Sequence, residues 1–306
     1  MKLRLGVRGM MWLTLVIMMW GIISCRTQEE KCLEEVLSLP LANKEELQKV
    51  LDHYKDDSLK YQAVCFLIRN MPFHAGYEGN ALKHYYQYFD IYAQGKLGPH
   101  EVIDSLKENS FSVSQLKRIE DIANIDSSLL VQNVDWAFKV WREQPWGKNV
   151  SFDNFCEFVL PYRLGDEPLG FWREDIYKRY NPILDSIRLL PQAQDPLVAA
   201  KVLMDSLVVE QSHFTGLFPA GPHLGPSVVS WRAGSCREFA DLVVYVMRAL
   251  GIPCGTDYMA MRGDNNVPHF WNFTLDKDGK TYITEFPDPN WKRAVSMYNP
   301  KAKVYR

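Results

Sequence analysis

The stretch Gly234-Ser235-Cys236-Arg237-Glu238-Phe239-Ala240 opens a run that continues through Leu242, Val243, Val244, Val246, Met247 and Leu250 and stops at Gly251, with Pro253 just beyond. Glycine after the last apolar residue and proline shortly after it are helix-stop signals, so the run reads as one helix. Its apolar residues wrap most of the circumference, which marks a central helix enclosed by neighbours on several sides. Cys236 then falls at the end where backbone N–H groups lack helical acceptors and the dipole is positive. That placement favours a thiolate and offers donors to an oxyanion.

Downstream, His269-Phe270-Trp271-Asn272-Phe273-Thr274-Leu275 has strand composition, 276–280 is a turn, and 281–286 is a second strand. Two hairpin registers are open. A two-residue turn at Asp278-Gly279 sets Asp288 across from His269. A three-residue turn with Gly279 in the bulge position slips the register by one and brings Glu285 onto the face of His269. Asp288 is the expected partner of the imidazole and Glu285 the alternative.

Upstream, Asp195-Pro196 caps and opens a helix over 196–208. The segment 214–230 carries Gly216, Pro219, Gly221, Pro222, Gly225 and Pro226, and a turn-rich loop of that length just before the candidate nucleophile reads as a cleft wall. His213 and His223 on this stretch are expected in solvent. Trp231 is either a core aromatic or a cleft residue near the thiol, and Ser235 joins it as a candidate for the oxyanion side of the cleft.

Taken together, Gly234-x-Cys236 at a helix start, Ala249-Leu250-Gly251-Ile252-Pro253 at its end and His269-x-Trp271 on the next strand resemble the transglutaminase-like superfamily of papain-like fold, over 196–290. The resemblance implies an α+β fold with a central helix packed on an antiparallel sheet. It makes Cys236 the nucleophile and His269 its general base. The family's acid usually follows an aromatic strand residue in a Phe-Asp-Pro type sequence, and Phe286-Pro287-Asp288-Pro289 has one residue extra. The implied chemistry is thiol-dependent acyl transfer on a peptide, protein or amide substrate through an acyl-enzyme, with water as the expected acceptor. A non-catalytic binding module using the same cleft for a peptide or glycan is the alternative.

The first half reads as mostly helical. Asn43 with Glu46 three residues later is a capping-box spacing, and Leu47, Val50, Leu51 and Tyr54 share a helical face. Further helices are expected over 59–69, over 115–123 behind Ser114, and over 129–142. Tyr85, Tyr86, Trp136 and Trp141 are assigned to packing. Pro145 and Gly147 interrupt the helical pattern, which suggests a helical domain over 25–147 followed by the transglutaminase-like domain over 148–306. The stretches Phe66-Leu67-Ile68-Arg69-Asn70-Met71-Pro72 and Phe158-Val159-Leu160-Pro161-Tyr162-Arg163 are similar to segments of transglutaminase-domain lipoproteins of the Bacteroidetes type. Such relatives commonly continue into a β-rich region, an expectation the resemblance carries for what lies beyond Arg306.

At the other end, Lys2, Arg4 and Arg8 precede an apolar run over 10–23 that is short for a bilayer span, the pattern of a signal peptide over 1–24. Ile22-Ile23-Ser24-Cys25 resembles a lipobox, which implies lipidation of Cys25 and a bacterial envelope location with the membrane touched only through the anchor. The net charge of −2 gives no footprint for nucleic acid. The remaining cysteines, Cys32, Cys65, Cys156, Cys236 and Cys254, show no metal-site spacing, and no metal or cofactor is expected. Their odd number leaves at least one free thiol in an oxidising compartment.

Overall fold

A computed structural model describes residues 28–98, 100–101, 104, 112–214, 221–262, 266–293 and 303–306. The signal peptide, the lipobox and Cys25 lie outside the described residues. Three amphipathic helices come first, α1 (Gln28–Leu37), α2 (Lys44–His53) and α3 (Ser58–Asn70). Strand β1 (Ala75–Glu78) and helix α4 (Asn80–Ala93) follow, and β2 (Lys117–Glu120) pairs antiparallel with β1. Helices α5 (Asp121–Asn124), α6 (Ser127–Glu143), α7 (Phe152–Phe158), α8 (Arg173–Tyr180) and α9 (Pro196–Val209) lead to β3 (His213–Phe214). A short α10 (Val228–Trp231) separates β3 from β4 (Ala233–Gly234), which pairs with it in parallel. The central helix α11 (Cys236–Ala249) precedes β5 (Cys254–Met259), β6 (His269–Leu275), β7 (Thr281–Thr284), β8 (Lys292–Arg293) and β9 (Val304–Tyr305). These last strands form one antiparallel sheet in the order β8-β7-β6-β5-β9, and the chain is of mixed α+β class.

Local signals hold where a side chain can reach its own backbone. Asp195 caps α9 by accepting from the Leu197 amide at 3.0 Å. They fail where a distant segment competes. Asn43 makes no side-chain cap bond; its amide donates to the Ile122 carbonyl at 2.8 Å, and Glu46 accepts from the Ser127 amide at 2.9 Å, tying α2 to the start of α6. The helix expected over 115–123 is a strand followed by a single helical turn: 117–120 pairs with β1, a partner some forty residues upstream, and tertiary pairing overrides local propensity.

The division expected at 147 does not follow the packing. One core joins α1, α2, α3 and α6 to Val150, Phe155, Cys156 and Tyr162. The other surrounds α11 and recruits Leu82, Tyr85, Phe89 and Tyr92 of α4, together with Trp146. Trp146, in the stretch read as a break, is fully buried, and its indole N–H donates to the Leu250 carbonyl at 2.8 Å, just past the end of α11. Tyr85 is fully buried, as its assignment to packing requires, and Trp141 stacks on Phe155 at 4.5 Å.

Two buried arginines sew these cores together. Arg173 donates to the carbonyls of Val159, Leu160, Pro161 and Arg248 and to Asn133 Oδ1, at 2.6–3.1 Å. Arg163 pairs with Asp121 through Nη2 and Nε, each at 2.7 Å, and Tyr162 donates its hydroxyl to the same carboxylate at 2.8 Å. The Leu160-Pro161-Tyr162-Arg163 stretch is thus a buried clamp. Replacing Arg173 by Met leaves several buried carbonyls without donors, and each such acceptor is costly. Denaturant unfolding of Arg173→Met is expected to show a loss of about 3 kcal/mol or more.

Side-chain bonds to α11 and to the turn that follows it set how the sheet sits on the central helix. Asn272 Nδ2 donates to the Ala240 carbonyl and Thr274 Oγ1 to the Pro253 carbonyl, each at 2.9 Å. Strand β6 therefore runs alongside α11 in the same sense. His269, three residues before Asn272, comes level with the first turn of the helix, where Cys236 sits.

Candidate active site

The helix start is built by a buried carboxylate. Ser235 is the N-cap and Glu238 the N3 residue of a capping box. Glu238, fully buried, accepts from the Ser235 amide at 2.9 Å and from the Ser235 hydroxyl at 2.7 Å, and pairs with Arg237 at 2.7 Å. Burial opposes its charge, but Arg237 and Ser235 outweigh burial and hold the carboxyl below its ordinary range. Gly234 lies in the positive-φ region at 147°, and a Cβ there would sit 2.3 Å from Glu238 Cβ. The Gly234-x-Cys236 spacing thus has a steric cause: the residue before the cap must have no side chain if the carboxylate is to fold back over it.

This arrangement reassigns Ser235. Its amide and hydroxyl are both spent on Glu238, and its oxygen also accepts from the Arg237 amide at 3.3 Å, so it is a cap and not an oxyanion donor. The Cys236 amide, first in the helix, has no helical acceptor and is the first-turn N–H left for an incoming oxygen. Trp231 packs away among aromatics of α4, 5.9 Å from Phe89 in a stacked arrangement and 5.4 Å from Tyr86. It is half-buried against the core and braces α10.

His269 is 3% exposed and begins β6. Its Nε2 lies 3.0 Å from Glu285 Oε1, and the Cys236 thiol group interacts with the same ring. Burial disfavours the imidazolium, but the bonds to Cys236 and Glu285 outweigh it and raise the His269 pKa to about 9. Glu285 is held below its ordinary value mainly by that bond to His269, with Arg262 contributing.

Of the two carboxylates, Glu285 is the one at the imidazole, and hairpin register explains why. Leu275 pairs with Thr281, and the Asp276 and Gly279 backbones close a three-residue turn with Gly279 at φ 72°. Glu285 therefore shares the face of His269. Asp288 falls on the other parity and is engaged with Asn290 and Lys292, whose ammonium lies 2.8 Å away. Phe286 stacks flat on Phe239 of α11 at 4.7 Å and 1°, which anchors the strand end carrying Glu285 to the helix carrying Cys236.

Cys65, Cys156 and Cys254 are made unreactive by burial. Burial pushes the thiols of Cys156 and Cys254 up to about 12 and raises that of Cys65. No disulfide joins the described cysteines. His223, expected in solvent, is instead drawn inside: Nδ1 lies 2.7 Å from Asp241 Oδ2 on α11, and its amide donates to Asp166 at 2.7 Å. Burial opposes the charge on His223, yet Asp241 raises its pKa to about 9. His213 packs edge-on against Tyr92, with ring centres 5.3 Å apart.

Glu238 and Phe239 are not among the sequence candidates, although Ser235-x-x-Glu238 is itself a capping-box spacing. Phe286 and Arg262 carry no local signal at all. No known family, curated protein or solved structure matches the chain significantly.

The pH dependence follows from His269. Its folded pKa is raised above 6.5, so the stabilisation carried by the charged imidazole is complete below pH 6.5 and is lost as pH rises through about 9. Any activity requiring the imidazolium is expected to have its alkaline limb near pH 9. In Glu285→Gln that limb should move to lower pH, as read from initial rates across a pH series.

Proposed function

We propose that this chain is a thiol-dependent acyl-transfer enzyme of papain-like architecture, related in design to transglutaminase-like proteins and acting hydrolytically on peptide or amide substrates. One observation carries the reading: His269 bridges the Cys236 thiol and the Glu285 carboxylate at the N-terminus of a central helix lying on an antiparallel sheet. A nucleophile, a base within hydrogen-bond reach and a third group orienting that base are the geometric requirements of covalent acyl transfer.

In this mechanism Glu285 holds the ring through Nε2, and His269, already carrying the proton taken from the thiol, stands charged beside the Cys236 sulfur. The Cys236 sulfur attacks the amide carbonyl carbon, and the carbonyl oxygen gathers negative charge beside the Cys236 amide. His269 returns its proton to the departing amine as the C–N bond breaks, which leaves a thioester. Water, deprotonated by His269, attacks the thioester carbonyl, releasing the acid and restoring the thiol. The raised pKa of His269 suits the second proton transfer, because an imidazole charged at neutral pH is a ready acid for the leaving group.

Labelling by an activity probe with an acyl-type thiol-reactive group tests this directly. Wild-type protein should be labelled at Cys236, Cys236→Ala should not, and Glu285→Gln should slow labelling far more than Asp288→Asn. Labelling that persists in Cys236→Ala removes the nucleophile from the scheme, and equal effects of the two carboxylate variants remove Glu285.

The reading includes location. Among the described residues no helix is long and apolar enough to cross a membrane. The lipobox-like Ile22-Ile23-Ser24-Cys25 supports a soluble body held at the envelope by a lipid on Cys25. Cells fed an alkyne-bearing fatty acid should incorporate it into the wild-type protein but not into Cys25→Ala, which should leave the membrane fraction.

A further inference from the structure

We infer that the cleft selects an acyl donor with a bulky apolar side chain next to the scissile amide; this rests on the reading of Cys236 and His269 as the reacting pair. Exposed apolar side chains lie near both members of that pair. On the sulfur's side, Phe214 ends β3, and its Cα pairs with Gly234, two residues before Cys236. Its ring stacks on Phe239 at 5.8 Å and 23°. Phe239 lies three residues beyond Cys236 and so on the same helical face, and its ring in turn stacks on Phe286. This column of rings runs from the helix to the strand bearing Glu285, yet Phe214 keeps 55% of its surface exposed.

On the imidazole's side, Met259 pairs with His269. Just beyond the ends of β5 and β6, two residues from that pair, are Met261 and Val267. The Arg262 amide donates to the Val267 carbonyl at 3.3 Å, holding the two segments together beyond the strand ends. Met261 is 59% exposed and Val267 41%.

A phenylalanine and a methionine–valine pair, each adjacent to one member of a reacting pair and each open to water, gain by being covered. The occupant that position selects is the side chain of the acyl residue, since the substrate carbonyl must lie between sulfur and imidazole. A charged side chain laid against Phe214 or Met261 would lose hydration, and an acidic one would also meet the Glu285 carboxylate. The inferred substrates are therefore extended peptides or amides with an aromatic or long aliphatic residue on the acyl side of the bond.

The test compares peptidyl amides that share one fluorogenic leaving group and differ only in the acyl residue: Phe, Leu, Ala and Asp. The lipid-free mature chain is expected to favour Phe and Leu over Asp by about tenfold or more in kcat/KM, the range a pocket contact of this size commands. Phe214→Ser should cut the Phe-to-Ala ratio several-fold, and Met261→Ser, at an independent point on the rim, should do the same. Equal turnover of the Phe and Asp amides, or ratios unmoved in both variants, overturns the inference while leaving acyl transfer intact. Absence of turnover on every amide, together with no acylation of Cys236, overturns the function from which the inference starts.

Discussion

A carboxylate with no exposure to solvent holds this site in place. Glu238 lies under the first turn of α11, bonded to the Ser235 amide and hydroxyl and paired with Arg237. A buried charge that loses a partner costs several kcal/mol, roughly 3–5, so the helix start cannot fray without exposing the whole network. Arg237 extends the constraint outward by donating to the Gly221 and Pro222 carbonyls, which pins the glycine- and proline-rich loop against the same turn. Cys236 is thereby presented at a rigid helix end rather than on a mobile loop.

The partners of the thiol are fixed from the opposite direction. Asn272 and Thr274 register β6 on α11, the three-residue turn at Gly279 registers β7 on β6, and the Phe286–Phe239 stack returns the strand end to the helix. Each contact closes a loop in which Cys236, His269 and Glu285 are successive points. The helical first half takes part in the same closure: α4 lends Tyr85, Phe89 and Tyr92 to the core around α11, and Trp146 bonds the far end of that helix. The two halves of the chain thus share their cores instead of meeting at a linker. Pro145 and Gly147 mark a turn of the backbone, and the side chain between them is completely buried.

Much of the site was legible because its signals are local. The helix with Cys236 at its head, its stop at Gly251 and the hairpin that opens with His269 all follow from residues within one turn or one strand of each other. The two hairpin registers could be enumerated from the turn sequence, and the choice between Asp288 and Glu285 came down to a single residue of turn length. What stayed hidden depended on segments far apart in the chain. Ser235 has the composition of an oxyanion-side residue until Glu238 is seen to consume its donors. His223 has the composition of a loop surface residue until Asp241 is placed beside it.

The sequence by itself determined a central apolar helix, a candidate thiol at its N-terminus, an imidazole at the start of the following strand and two possible acids, because periodicity, capping and turn chemistry act over a few residues. Only the tertiary structure decided which acid meets the imidazole, that Trp231 braces the core, that 117–120 is a strand, and that the chain's cores interleave across residue 147. Those outcomes turn on competition for buried hydrogen-bond partners and packing space between distant segments. A buried polar group goes to whichever partner the fold brings near, and no neighbouring residue records that choice.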